Sequence, residues 1–80
     1  MLSKLEVDII IQMKEDGILD SMNSRTIQNV AKRIGINYFR VRTNMNNLYN
    51  LGYILRGFRE RSSNTYYLSK KGVEIIETKT

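Results

Sequence analysis

Arginine, asparagine and one phenylalanine recur along one side of the stretch INYFRVRTNMNNLYNLGYI, residues 36 to 54. On a helical wheel with Val41 at 0°, every position of residues 38–52 that lies more than about 80° from it is polar or aromatic. These outer positions are Phe39, Arg40, Arg42, Thr43, Asn46, Asn47 and Asn50. Arginine can bond two guanine acceptors, asparagine can pair with the edge of adenine, and an apolar ring can touch a thymine methyl. Such a helix face favours the reading of bases in a DNA major groove.

The inner side of the same helix is predicted to face the core. Within about 80° of Val41 the wheel places seven more residues. They are Tyr38, Asn44, Met45, Leu48, Tyr49, Leu51 and Gly52. Asn44 is expected to hydrogen-bond nearby backbone, because polar groups on an inner face are usually paired. Phe39 leaves two alternatives open: its ring meets DNA, or it folds back onto the core, since exposed phenylalanine is otherwise poorly placed.

The composition restricts the chain to one domain, residues 1–80, and excludes several kinds of chemistry. Without cysteine or histidine, disulfides, zinc fingers and histidine-based catalysis are excluded. Ser62 and Ser63 occur in a polar loop without a base to activate them, so no enzyme is expected. Because cysteine and histidine ligands are also lacking, no metal or cofactor is expected. No apolar run approaches the ~18 residues of a membrane helix and no signal peptide is recognisable, so a cytoplasmic or nucleoid-associated location is expected.

Basic residues are concentrated in the middle of the chain, whose net charge is +5. Residues 25–71 contain ten lysines and arginines and one acid, Glu60, which gives a local charge of +9. Residues 1–24 carry −3 and residues 72–80 carry −1. This segregation offers one basic zone to a polyanion, whereas solvated surface charge would be more evenly mixed.

Three helices are predicted before Gly52. The first, SKLEVDIIIQMKEDG, ends near Gly17, and its apolar stripe consists of Leu2, Leu5, Ile9, Ile10 and Met13. In RTIQNVAKRIGIN, Thr26 is the predicted N-cap and Gly35 closes the second helix. Asn37 then caps the third helix. Two helices separated by GIN, with a glycine in the turn, form the sequence pattern of a helix-turn-helix.

Three apolar residues do not fit the predicted core. Val7 and Ile11 fall nearly opposite the stripe of the first helix, and Ile75 is left over in the last one. They are either covered by another element of the chain or they contact a second copy of the protein. We expect them to form the contact of a homodimer.

Beyond Gly52 the pattern changes from helical to extended. In YILRGFRERSSNTYYLS, β-favouring residues flank a polar, arginine-rich middle, which predicts a hairpin with a long tip. Ser69 can cap a last short helix, KKGVEIIETKT, from which Val73 and Ile76 can reach the core.

The order helix, helix, helix, hairpin, helix resembles the winged helix-turn-helix domain of prokaryotic, viral or plasmid transcription regulators, broadly of the MarR, ArsR and PadR kind. TIQNVAKRIGIN, VRTNMNNLYNLGYI and YYLSKKG carry this resemblance, over about residues 26 to 73. It implies an α+β fold of three helices, a two- or three-stranded wing hairpin and a short C-terminal helix. Two features depart from it: Asn44 stands at a usually apolar position, and the long terminal helices of MarR-type dimers are lacking.

The resemblance also implies which residues contact DNA. Helix 37–51 would enter the major groove, and wing 55–65 would lie along the neighbouring backbone or minor groove. Arginines on a hairpin are also often only a solvated edge. At the start of the second helix Arg25 is a further phosphate candidate, whereas Lys32 and Arg33 serve solubility equally well. The predicted DNA contacts are Thr26, Gln28, Tyr38, Phe39, Arg40, Arg42, Thr43, Asn46, Asn47, Arg56, Arg59 and Arg61.

The leading hypothesis is a sequence-specific, double-stranded DNA-binding transcriptional regulator that represses by occupying its operator. A homodimer is expected, because a single domain of this kind buries only ~600 to 1,000 Å² on DNA. One alternative is a plasmid or viral replication, partition or excision factor that uses the same domain as a DNA clamp. Another is a winged helix adaptor that binds protein or RNA.

Overall fold

Four helices and three short strands follow one another in the order that the sequence predicts. The computed structural model describes the backbone of residues 1–79 and the side chains of residues 1–77, so Thr80 of the predicted last helix lies outside the described residues. None of the described helices is long and apolar enough to cross a membrane. The elements are α1 (Lys4–Glu15), a 3₁₀ turn (Ser21–Asn23), β1 (Arg25–Thr26), α2 (Ile27–Ile34), α3 (Tyr38–Asn50), β2 (Ile54–Arg56), β3 (Thr65–Leu68) and α4 (Lys70–Lys79).

Helix α1 begins with a capping box. Ser3 Oγ accepts from the backbone N–H of Glu6 at 3.1 Å, and Glu6 Oε1 accepts from the backbone N–H of Ser3 at 3.0 Å. The two bonds satisfy N–H groups that have no partner within the helix. The helix ends at Glu15, and Gly17 continues the chain in the left-handed region with φ 72°, which confirms the predicted stop.

The caps of α2 and α3 are also those predicted. Thr26 Oγ1 accepts from the N–H of Asn29 at 3.1 Å, and Asn37 Oδ1 accepts from the N–H of Phe39 at 2.8 Å. Between the two helices Gly35 adopts φ 81°, a left-handed conformation that ends α2. The start of α2, the turn and the start of α3 are therefore set locally, by Thr26, Gly35 and Asn37.

The three strands form one antiparallel sheet in the order β1-β3-β2. Strands β2 and β3 pair with Leu55 opposite Tyr67, which confirms the predicted hairpin, and the short β1 adds a third strand through Arg25 opposite Tyr66. The sheet and the helices share one core. Its buried apolar residues are Ile9, Ile10, Met13, Ile18, Val30, Ala31, Val41, Met45, Leu48, Ile54, Tyr66 and Leu68.

Ser69 joins the end of α3 to the start of α4. Its Oγ accepts from the N–H of Gly72 at 3.1 Å, as a helix cap, and donates to the carbonyl of Gly52 at 2.7 Å. At Gly72 a β-carbon would overlap the carbonyl oxygen of Tyr53 and lie 2.6 Å from Leu68 Cδ1. Helix α4 thus lies with its backbone directly against Tyr53, an approach that only glycine permits.

Three apolar predictions are corrected by the structure. Leu51 is exposed because it is the C-cap of α3, where the chain turns away through Gly52, and its carbonyl accepts from Lys71 Nζ at 2.7 Å. Tyr38 is exposed because it opens the helix, beyond the reach of the core. Ile75, expected to be left over, is half-buried and packs against the core.

Candidate nucleic-acid interface

The outer face of α3 is exposed along its length. All seven residues that the wheel placed there are accessible to solvent: Phe39, Arg40, Arg42, Thr43, Asn46, Asn47 and Asn50. On the opposite side Val41, Met45 and Leu48 are completely buried, and they hold the helix against the core. Because these three anchors fix the rotation of α3 about its axis, the polar residues are presented outward as one surface.

The structure excludes one of the two alternatives that the sequence left open for Phe39. Its side chain is 67% exposed, so it does not fold back onto the core. The ring of Tyr38 meets it edge to face, with centroids 5.3 Å apart and planes at 85°. The first turn of α3 therefore carries an exposed aromatic pair, an arrangement that the hydrophobic effect disfavours in an isolated monomer.

The polar groups beside this pair have unused hydrogen-bonding capacity. Within residues 1–77, the guanidinium groups of Arg40 and Arg42 have no hydrogen-bond or ion-pair partner, and neither does the amide of Asn46. Each guanidinium offers a planar set of donors that matches paired acceptors. These three side chains can reach a partner without first breaking a hydrogen bond or ion pair within the described part of the chain.

Asn44 and Asn47 instead fasten α3 to α1. Asn44 Nδ2 donates to the carbonyl of Arg40 at 2.7 Å, as predicted, and its Oδ1 accepts from Ser3 Oγ at 3.3 Å. Asn47 Nδ2 donates to Glu6 Oε2 at 2.9 Å. Asn47 is exposed and keeps a second amide hydrogen and its side-chain oxygen, so a base contact stays a prediction for it beside this structural bond. Sequence reasoning missed Ser3 and Glu6 because their partners on α3 lie 41 residues away.

The start of α2 differs from the prediction in one residue. Thr26 is buried and its hydroxyl oxygen caps the helix, which does not fit a phosphate contact through its side chain. Gln28 is exposed, as is Arg25, whose Nη1 donates to the carbonyls of Asn23 and Ser24 at 2.7 and 3.1 Å. Arg33 pairs with Asp16 at 3.1 Å, so it links α2 to the end of α1.

The wing carries its three arginines in different settings. The guanidinium of Arg56 lies over the ring of Tyr49 on α3, 4.7 Å from its centroid. Arg59 Nη2 donates to the carbonyl of Ser62 at 2.8 Å, and Arg61 adopts a left-handed backbone with φ 58°. Arg56 thus belongs to the junction between α3 and the wing, whereas Arg59 and Arg61 lie at the tip.

The base of the wing is fastened to the segment that precedes α2. Ser24 Oγ donates to Thr65 Oγ1 at 2.8 Å, and Thr65 Oγ1 donates in turn to the carbonyl of Phe58. At Gly57 a β-carbon would overlap Ser24 Oγ and lie 2.6 Å from Ser24 Cβ. This arrangement, the wing seat, consists of Ser24, Gly57 and Thr65, and sequence reasoning missed it because the pairing spans distant parts of the chain.

Comparison with known proteins identifies the fold. No protein-family model and no curated protein matches the chain. Among solved structures, the DNA-binding TubR fragment from Clostridium botulinum has a TM-score of 0.80 and 22% identity, with 100% of this chain and 99% of the other aligned. The MepR–DNA complex of Staphylococcus aureus has a TM-score of 0.77 and 14% identity, covering 96% of this chain and 60% of MepR.

FabT from Streptococcus pneumoniae, solved in complex with DNA, has a TM-score of 0.69 and 29% identity. The match covers 96% of this chain and 51% of the FabT chain, so the present chain spans little more than half the length of MepR and FabT. These structures and the order of elements show that the chain has the winged helix-turn-helix fold. The predicted fold class is confirmed.

Proposed function

We propose that this protein is a sequence-specific, double-stranded DNA-binding transcriptional regulator, and that it represses transcription by occupying its operator. In this proposal the outer face of α3 reads bases in the major groove, and the wing contacts the backbone or the minor groove. The protein would act as a homodimer in the cytoplasm or on the nucleoid, without a metal or cofactor.

The observation that carries the proposal is the outer face of α3. Arg40, Arg42 and Asn46 extend their unpaired donors into solvent beside the exposed ring of Phe39. The exposed ring is costly to leave in water, and the surface is complementary to the acceptors and methyl groups of base edges. MepR and FabT, whose structures were solved with DNA, share the fold that presents this surface, which supports DNA as the partner.

The basic residues around α3 support the same partner. The +9 charge of residues 25–71 includes Arg25 at the start of α2 and Arg59 and Arg61 at the wing tip. On the proposed complex these three arginines contact phosphates on either side of the groove that α3 enters. Such contacts supply affinity and register without base preference.

A homodimer would place two such helices on neighbouring half-sites. Ile11 is 37% exposed on the outer side of α1, and half-buried Val7 lies one turn before it. We assign these two residues to the contact between copies. Two domains related by a two-fold axis would bind half-sites about one helical turn apart.

Selection of bound sequences from a random duplex library, at near-physiological salt, tests the proposal. We expect a palindromic motif with half-sites about ten base pairs apart to be enriched. Binding to the selected duplex should weaken as salt increases, because each phosphate contact releases counterions. If no sequence is enriched and duplex binding depends steeply on salt, the protein is a DNA clamp without base preference and not a sequence-specific regulator. Absence of binding would point to a protein partner instead.

A further inference from the structure

We propose that α3 recognises the 5-methyl groups of thymine through an apolar strip on its outer face. The methyl strip consists of the ring of Phe39 and the γ-methyl group of Thr43. This inference rests on the proposed function and deepens it, since it names the chemical group that the helix reads.

Phe39 lies at the middle of the outer face. On the helical wheel it is about 160° from Val41, which is buried at the centre of the inner face. Its ring is 67% exposed, and the edge-to-face contact with Tyr38 restricts the orientations that it can adopt. An apolar group held outward in this way is positioned to remove a partner's apolar group from water.

Thr43 extends the apolar surface by one helical turn. Its Oγ1 donates to the carbonyl of Phe39 at 3.0 Å, so the only proton of the hydroxyl is used by the helix backbone. Thr43 is nevertheless exposed. The hydroxyl can then only accept a further hydrogen bond, and the γ-methyl group is the apolar part of the side chain, four residues after the ring and on the same face.

The surroundings of the strip indicate which apolar group it meets. Arg40 and Arg42 flank it, both without hydrogen-bond or ion-pair partners in the described part of the chain. An apolar strip bordered by positive charges is better suited to bind a polyanion than to bind the apolar surface of another protein. In duplex DNA, thymine is the base that presents a methyl group in the major groove, and phenylalanine and the threonine methyl are side-chain groups that contact it.

Replacement of thymine by deoxyuridine tests this inference directly, because it removes the methyl group and leaves base pairing unchanged. The probe is the duplex enriched from the random library, with each thymine replaced in turn. We expect one or two positions in each half-site to bind roughly three- to fourfold more weakly, as expected for the loss of one buried methyl group. The other replacements should have no effect.

Two pairs of variants assign the effect to the strip. Phe39→Ala should weaken binding to the thymine duplex. At the thymine that the ring contacts, the ratio of the affinities for thymine and uridine should fall close to one. Phe58→Ala is the matched control, because Phe58 is 66% exposed on the wing, and it should keep the full ratio. Thr43→Ser retains the hydroxyl and deletes the methyl group, so it should lose discrimination at a neighbouring thymine, whereas Thr43→Val should retain it.

The outcomes separate the inference from the function on which it rests. Sequence-selective binding with equal affinity for every uridine duplex would overturn the methyl strip and leave the proposed function standing. Uridine discrimination that persists in both Phe39→Ala and Thr43→Ser would also overturn it. Absence of any sequence preference would overturn the proposed function and the inference together. Both side chains are exposed, so thermal unfolding of the variants should match that of the parent protein.

Discussion

The buried carboxylate of Glu6 accepts a hydrogen bond of 2.9 Å from the side-chain amide of Asn47. Glu6 is only 5% exposed, and its other oxygen caps α1 through the backbone N–H of Ser3. A single carboxylate therefore completes the first turn of α1 and fixes the middle of α3. The orientation of the outer face of α3 depends in part on a residue that does not belong to that face.

Asn47→Ala is expected to affect stability more than recognition. The substitution leaves one oxygen of a buried carboxylate without its partner, which should lower the free energy of unfolding by about 1 to 3 kcal/mol. Denaturant unfolding measures this change, and competition between duplexes measures base preference, which should alter little. The adjacent Asn46→Ala is the matched control, and it should weaken base preference with unchanged stability. If Asn47→Ala changed base preference and left stability unchanged, Asn47 would instead act as a base contact on the outer face of α3.

Arg40 and Arg59 are expected to contribute to DNA binding in different ways. Arg40→Ala should reduce affinity for the selected duplex by about 1 to 3 kcal/mol and relax base preference, because in the proposed complex it removes a group that faces base edges. Arg59→Ala, at the wing tip, should weaken binding to all duplexes alike and reduce the salt slope by about one. Titrations of each variant with duplexes at several salt concentrations distinguish the two effects. If Arg40→Ala reduced the salt slope and Arg59→Ala relaxed base preference, the roles assigned to the two arginines would be reversed.

The wing seat predicts a compensating pair of substitutions. Gly57→Ala introduces a β-carbon that overlaps Ser24, and overpacking of this kind typically costs about 1 to 3 kcal/mol. Ser24→Gly removes the obstructing side chain, although it also loses the bond to Thr65. The double variant should therefore be more stable than the sum of the two single changes predicts. Thermal unfolding of the four proteins gives the coupling, and strict additivity would contradict this account of the seat.

The dimer contact is tested by Ile11→Glu. Because Ile11 is partly exposed on α1, we expect the variant to fold, and to yield monomers with weaker operator binding. Sedimentation or light scattering gives the mass, and Leu19→Glu is the control, since Leu19 is a similarly exposed apolar residue outside α1. A mass above one chain that does not change in Ile11→Glu would refute the assignment. Loss of folding would place Ile11 in the core.

The sequence predicts the parts of this fold that are determined locally. Thr26, Asn37 and Ser69 cap the helices that they were predicted to cap, and Gly17 and Gly35 end the helices before them. A cap depends on a side chain and a backbone group two or three residues away, so the sequence contains most of the necessary information. The same holds for the buried face of α3, which follows from its helical period.

The errors arise where the outcome depends on distant contacts or on the ends of helices. The wheel treated Tyr38 and Leu51 as interior helical positions, whereas one opens α3 and the other caps it, so neither reaches the core. The bond between Asn47 and Glu6 was not predicted, because nothing near Asn47 in the sequence indicates Glu6. The wing seat requires the approach of Ser24 to Gly57, which depends on how the sheet is assembled.

Gly72 has a consequence for the evolutionary history of this domain. Glycine inside a helix costs roughly 1 kcal/mol relative to alanine, so helix propensity alone would favour its replacement. Any side chain at that position would collide with Tyr53 and Leu68, so α4 could not pack against the sheet as it does. Selection for folding should therefore retain this glycine even where the exposed residues of α3 change.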